Sequence, residues 1–250
     1  MLKEIKNLFS FLTIIPVSMD KDLLTDCARA MFVFPLMGAF TGLLGGVFGW
    51  VISHFLPSLV VGALVLGVLL LITGLHHTDG LLDFGDGVMA HGSPERKIEI
   101  MHDQLTGAGG LCLGIMTYLI TALCIAELDA SVIIQSIVAV EVSAKLSMVI
   151  GAWAGKAVHE GMASSFLKAM HGWKGTARLV VALAIALGIA LPLLWFAGAV
   201  TVLATVVASL VIVGISHRHF RGVTGDVLGA SNELTRMVSL IVLIAVLGWA

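Results

Sequence analysis

The stretch Leu59-Val60-Val61-Gly62-Ala63-Leu64-Val65-Leu66-Gly67-Val68-Leu69-Leu70-Leu71-Ile72-Thr73-Gly74-Leu75 runs without a charge into His76-His77-Thr78-Asp79-Gly80-Leu81-Leu82-Asp83-Phe84-Gly85-Asp86-Gly87. The apolar part reads as a membrane-spanning helix. The polar part brings three carboxylates to its end. Charge at a bilayer edge is costly unless it is paired, solvated or bound to a metal. On a helix turning about 100° per residue, His76, Asp79, Asp83 and Asp86 fall within an arc of roughly 80°, and His77 points elsewhere. Three aspartates on one face repel each other unless a divalent cation lies between them. The pattern points to a metal site that handles phosphate.

Composition sets the class. The chain has 250 residues, 58% hydrophobic and only 12% charged, with a mean hydropathy of +1.05. A soluble domain carries about a quarter charged residues, so this is a polytopic membrane protein. The net charge of −2 shows no basic excess of the kind nucleic acid requires. Cys27, Cys112 and Cys124 form neither a disulfide framework nor a zinc spacing and read as small buried hydrophobes. Lys3, Glu4 and Lys6 alternate with Leu2, Ile5, Leu8, Phe9, Leu12 and Ile15 at helical spacing. This predicts an N-terminal amphipathic helix in the membrane interface, ended by Pro16.

Apolar runs at about 30–53, 59–76, 107–126, 131–153, 178–197 and 199–216 are long enough to span. A shorter run at about 236–250 spans only with thinning, or if its helix starts near Asn232. The expected fold is therefore an all-α bundle of about seven transmembrane helices in a single domain, 1–250. Gly38, Gly42, Gly45, Gly46 and Gly49 predict close packing of the first span. In this arrangement all fourteen Lys and Arg fall on one side, Lys21 and Arg236 included, and the turns near 54–57, 127–131 and 197–198 carry none. The positive-inside rule then puts the N-terminus in the cytoplasm, together with three loops at about 77–106, 154–177 and 217–235.

The first loop continues with Ser93-Pro94-Glu95, an N-cap and a proline that open a short helix. Glu95 and Glu99 read as a solvated face. Asp103 is better placed, because it precedes Gly107, Gly109 and Gly110 at the next membrane edge. Glycines at a helix start let a phosphate approach backbone N–H groups, although helix packing explains them about as well. In the third loop Arg218 and Arg221 suit phosphate oxygens, and Asp226, between Gly225 and Gly229, has no topological use. The middle loop, with Lys156, His159, Glu160, Ser164, Ser165, Lys168, His171, Trp173 and Lys174, reads first as a plain solvated loop and second as a segment that binds a base or covers a tetrapyrrole. Glu141 and Lys145 lie four apart inside span four, where an ion pair would reduce the burial cost. His76 is the one histidine on the acidic face and is a candidate base.

The motif His76 to Gly87 resembles the H-x-D-G-x-x-D-x-x-D-G signature of the cobalamin synthase family, the adenosylcobinamide-GDP ribazoletransferases. Met101-His102-Asp103 with Gly107, Gly109 and Gly110 resembles that family's next segment. Thr224-Gly225-Asp226-Val227-Leu228-Gly229-Ala230 resembles its T-G-D-x-L-G-A. Phe11-Leu12-Thr13-Ile14-Ile15-Pro16-Val17 is similar to its F-L-T-R-[IL]-P start, with Ile14 in place of arginine. Val223 replaces a common glycine, and Lys145 stands where an arginine is expected.

The resemblance implies joining adenosylcobinamide-GDP to α-ribazole or its 5′-phosphate in the cytoplasmic membrane, with release of GMP and a requirement for Mg²⁺. In that reading Asp79, Asp83, Asp86 and Asp103 hold metal, and Asp103, Asp86 and His76 compete as base. Gly107, Gly109, Gly110, Arg218, Arg221, Thr224, Gly225 and Asp226 contact substrate. A homo-oligomer is left open.

Two rival readings stand beside this one. A CDP-alcohol phosphotransferase of lipid synthesis also binds metal through spaced aspartates, but Asp83-Phe84 stands where its motif has Ala-Arg. A cation-coupled transporter would suit broken helices and glycines, but the acids lie at a loop and no inverted repeat is evident.

Overall fold

The computed structural model describes residues 2–17 and 23–248; Lys21 lies outside them. Among the described residues all regular structure is helical, apart from one isolated parallel bridge between Ala157 and Val223. The helices are α1 (Leu2–Leu12), α2 (Leu23–Arg29), α3 (Phe34–Ser53), α4 (Ser58–Ile72), α5 (His76–Met89), α6 (Pro94–Met101), α7 (Ala108–Ala126), α8 (Ile133–Ala154), α9 (Met162–Met170), α10 (Gly172–Phe220) and α11 (Gly225–Leu247).

Five helices are long and apolar enough to cross a membrane, and α4 with α5, bent by 99° at their junction, adds a sixth as a broken span. The 49 residues of α10 would measure about 74 Å at about 1.5 Å per residue, against a hydrocarbon core of about 30 Å. It is instead interrupted at Trp195 (φ 50°, ψ −128°), just after Pro192. A Cβ on Gly198 would collide with the carbonyl of Ala190, so the chain folds back there and α10 makes two passes. Counting α10 twice and the bent pair α4–α5 once gives seven candidate passes, the number expected from hydropathy.

The hub is α8, buried from Ser136 to Ala152. The glycines of α3 let it approach on two sides. Gly42 and Gly46 lie against the backbone of α8 at Val138 and Ile134, while Gly45 and Gly49 receive Leu69 and Val65 of α4. Large apolar side chains such as Leu119 on α7 and Leu203 and Val207 on α10 point outward, as lipid contact requires. Trp195, 81% exposed at the turn of α10, suits an interfacial belt. The α1 helix is seated on protein. Leu8 and Leu12 are buried, Asn7 donates to Asp26 of α2 at 3.1 Å, and Phe9 meets Phe40 edge-on at 5.0 Å. Burial beside Asp26 pushes the Cys27 thiol up to about 12, so it behaves as a buried apolar group.

Three expectations need correction. The segment 77–106 is largely helical, because Thr73–Leu75 breaks the chain with Gly74 (φ 66°) and Leu75 (φ 61°) in left-handed conformations. The acids therefore sit on a separate helix rather than at the end of a span. The loop assigned to 217–235 is mostly the start of α11, which opens at Gly225, where the Thr224 hydroxyl accepts from the Val227 amide at 3.4 Å. At 23 residues α11 is long enough to cross, and Arg236 is buried inside it. Finally, Glu141 pairs with Arg236 rather than with Lys145, and Lys145 donates instead to Asn232 at 2.8 Å.

Candidate active site

Three sides of α5 are covered by protein. Toward α7, Gly85 touches Gly110, and Thr78 accepts from the Tyr118 hydroxyl at 2.8 Å. Toward α10 and α6, Phe84 meets Phe220 edge-on at 6.0 Å and Gly87 abuts Met101. Toward α11, a Cβ on Gly80 would lie 2.8 Å from the Asp226 carbonyl oxygen, so only glycine lets the two backbones meet. Leu81, fully buried, is opposite the remaining side. That uncovered side carries His76 and Asp79, both exposed, and Asp83 and Asp86, both half-buried. The stripe read from the sequence is thus the open face of α5.

The contact at Gly80 brings Asp226 into the same field: Asp83 feels the charges of Asp79, Asp226 and Asp86. Asp86 has a further task. Its two oxygens accept from the amides of Gly107 (2.7 Å) and Gly110 (2.8 Å), which caps the otherwise unsatisfied start of α7. The sequence reading gave those amides to a substrate phosphate; in the structure a carboxylate of the same chain takes them. Gly109 faces Gly85 and Met89, which is helix packing.

Asp103 is exposed and accepts from the Leu105 amide at 3.1 Å, and it is not among the charges felt by Asp83. Arg218 is exposed, and Arg221 is paired with Glu95 at 3.1 Å on the surface. Thr224 is buried, with its hydroxyl 3.2 Å from the Asp226 carboxylate.

Two cavities flank Asp226. The larger, about 480 Å³, lies under the segment Ser10 to Pro16 and is also lined by His76, His77, Phe166 and Gly229. The smaller, about 220 Å³, is lined by His102, His159, Gly161 and Thr224. They share Met162, Ala163, Gly225 and Asp226. Sequence reasoning missed this recess. Its walls come from segments far apart in the chain; Phe11 to Val17, His76, His102 and Thr224 to Gly229 were each marked singly, and nothing in the sequence joined them.

Beneath the site lies a fully buried charge network. Arg236 bonds Glu141 of α8 through Nε and Nη2, and Glu233 one turn earlier through Nη1. Asn232 bridges Lys145 to Glu233. His77, on the inner side of α5, is buried next to this network and its Nδ1 has no partner.

Among the described residues no three His, Cys, Asp or Glu side chains converge closely enough to hold a metal ion. The donor chemistry nonetheless fits a hard divalent cation: Asp79, Asp83 and Asp226 are oxygen donors, and half-buried Asp83 stands among like charges. With Asp86 engaged at α7, these three are the residues that would hold it.

A sequence profile of the cobalamin-5-phosphate synthase family matches residues 4–244. The chain belongs to that family. Among curated relatives, an adenosylcobinamide-GDP ribazoletransferase of Methanococcoides burtonii is 34% identical over 97% of this chain and 92% of its own. One of Methanocella arvoryzae is 35% identical over 99% and 97%. One of Thermococcus kodakarensis is 29% identical over 98% and 99%. No solved structure matches this chain. The open face of α5 and the T-G-D start of α11 touch at Gly80 and Asp226.

Proposed function

We propose that this chain is an adenosylcobinamide-GDP ribazoletransferase of the cytoplasmic membrane, with its polar end in the cytoplasm. A family match over residues 4–244 carries the activity. The orientation rests on the charges. Apart from buried Lys145 and Arg236, the described Lys and Arg gather at the end where α5 and the start of α11 lie.

In the reaction a ribose hydroxyl of α-ribazole, or of its 5′-phosphate, attacks the phosphorus that bears the cobinamide. An O–P bond forms, the P–O bond to GMP breaks, and GMP leaves with the electron pair. The hydroxyl proton passes to a base. Such transfers depend on alignment and charge neutralisation more than on covalent participation by the protein. Mg²⁺, when bound, would neutralise the diphosphate oxygens. Asp79, Asp83 and Asp226 are the residues we assign to hold it. His76 belongs both to the acid face and to the larger cavity, which makes it the best-placed base. Thr224 fixes the Asp226 carboxylate, and Asp86 fixes the start of α7 against α5.

The test is GMP release by purified protein in detergent or lipid. Release is expected only with adenosylcobinamide-GDP, α-ribazole 5′-phosphate and Mg²⁺ together. Turnover of CDP-linked lipid substrates instead would overturn the reading.

A further inference from the structure

The two cavities that meet at Asp226 differ in chemistry. The larger has an aromatic wall: Phe11 stacks on Phe166 at 5.3 Å with planes inclined by 25°, and Phe34 meets Phe166 edge-on at 6.1 Å. Its hydroxyls are engaged within the protein. The Thr13 hydroxyl donates to the Phe9 carbonyl at 2.6 Å, and the Ser10 hydroxyl accepts from the Val17 amide at 3.0 Å. The smaller cavity carries two imidazoles. His102 and His159, from separate segments, stand edge-on at 5.7 Å, and the first residues of α11 complete its wall. Asp226 lines both cavities and is also among the charges felt by Asp83 on the acid face.

We infer that this double recess is the acceptor subsite: the larger cavity takes the base of a ribazole, and the smaller takes its 5′-phosphate. The inference rests on the transferase reading and deepens it. A ribazole base is a flat benzimidazole whose one free heteroatom is a ring nitrogen, so a chamber with an aromatic wall suits it. A chamber of about 480 Å³ is too small for a corrin macrocycle with its side chains. The ribose between base and phosphate then lies beside Asp226, where its hydroxyl meets the acid face. His102 and His159 supply N–H donors to the phosphate and give the phosphorylated acceptor its advantage.

Two variants and one probe test this. Ala163→Trp fills the larger cavity and should raise the KM for α-ribazole and for its 5′-phosphate at least tenfold, with the KM for adenosylcobinamide-GDP within twofold. The double variant His102→Ala/His159→Ala should raise the KM for the 5′-phosphate by a similar factor and leave that for α-ribazole within twofold. Free 5,6-dimethylbenzimidazole should inhibit the unaltered protein competitively against the acceptor and not against the donor. A rise confined to the donor's KM would assign the chamber to the donor. No change in either KM for Ala163→Trp would mean that the chamber holds lipid or nothing. Both results overturn the inference. Calorimetric binding of α-ribazole to the unaltered protein and to Ala163→Trp separates the two levels. Binding lost in the variant supports the chamber even where GMP release fails, and binding unchanged in the variant sinks the chamber even where release succeeds.

Discussion

Two groups of charges lie within a few helical turns of each other and are treated in opposite ways. In the bundle interior, Glu141 and Glu233 are matched by Lys145 and Arg236, all four are fully buried, and Asn232 closes the network. On the open face of α5, Asp83 is half-buried and stands among the like charges of Asp79, Asp226 and Asp86. A buried charge without a partner is strongly destabilising, so the interior set is balanced and fixes the register of α11 on α8. The surface set is held together by backbone contacts, at Gly80 and through the Asp86 cap. In the function proposed here a cationic ligand relieves that repulsion, and the difference separates residues that build the protein from residues assigned to act.

The largest effect should come from the surface set. Asp79→Asn or Asp83→Asn should lower GMP release by at least about 10²–10³-fold, and a metal chelator should do the same to the unaltered protein. The unfolding midpoint in detergent should hold or rise, because a repulsion is relieved.

The interior set should respond in the reverse way. Arg236→Met leaves two buried carboxylates unpaired and should cost about 3–5 kcal/mol of stability. Replacing Glu141, Glu233 and Arg236 together with apolar residues of similar size should recover most of that loss in the same unfolding assay. Asp86→Ala falls between the two groups. Losing the cap of α7 should cost about 1 kcal/mol, and activity should fall as α7 loosens from α5. The smallest effect is expected at Glu95→Gln. Its pairing with Arg221 is exposed on both sides and should leave the melting curve unchanged.

Local periodicity made the acid stripe legible, because His76, Asp79, Asp83 and Asp86 share one face on any helix through them. The left-handed turn at Leu75 was not legible, since nothing in a leucine signals positive φ. The start of α11 could be read in T-G-D, but Arg236 looked like a topological anchor and pushed the expected boundary inward. Its partner Glu141 is 95 positions away, beyond any i,i+4 rule, and so the local choice of Lys145 was wrong. Close packing of α3 was legible in its glycines, as was the number of passes. The recess at Asp226 was not, because it exists only once α1, α5, α9 and α11 are brought together.

The most direct test is to measure GMP release and the unfolding midpoint on the same purified samples of Asp83→Asn and Arg236→Met. The separation drawn here predicts that Asp83→Asn is folded and inactive. It predicts that Arg236→Met is destabilised, with its remaining folded fraction still turning over. Normal turnover in Asp83→Asn, or an undiminished midpoint in Arg236→Met, would contradict it.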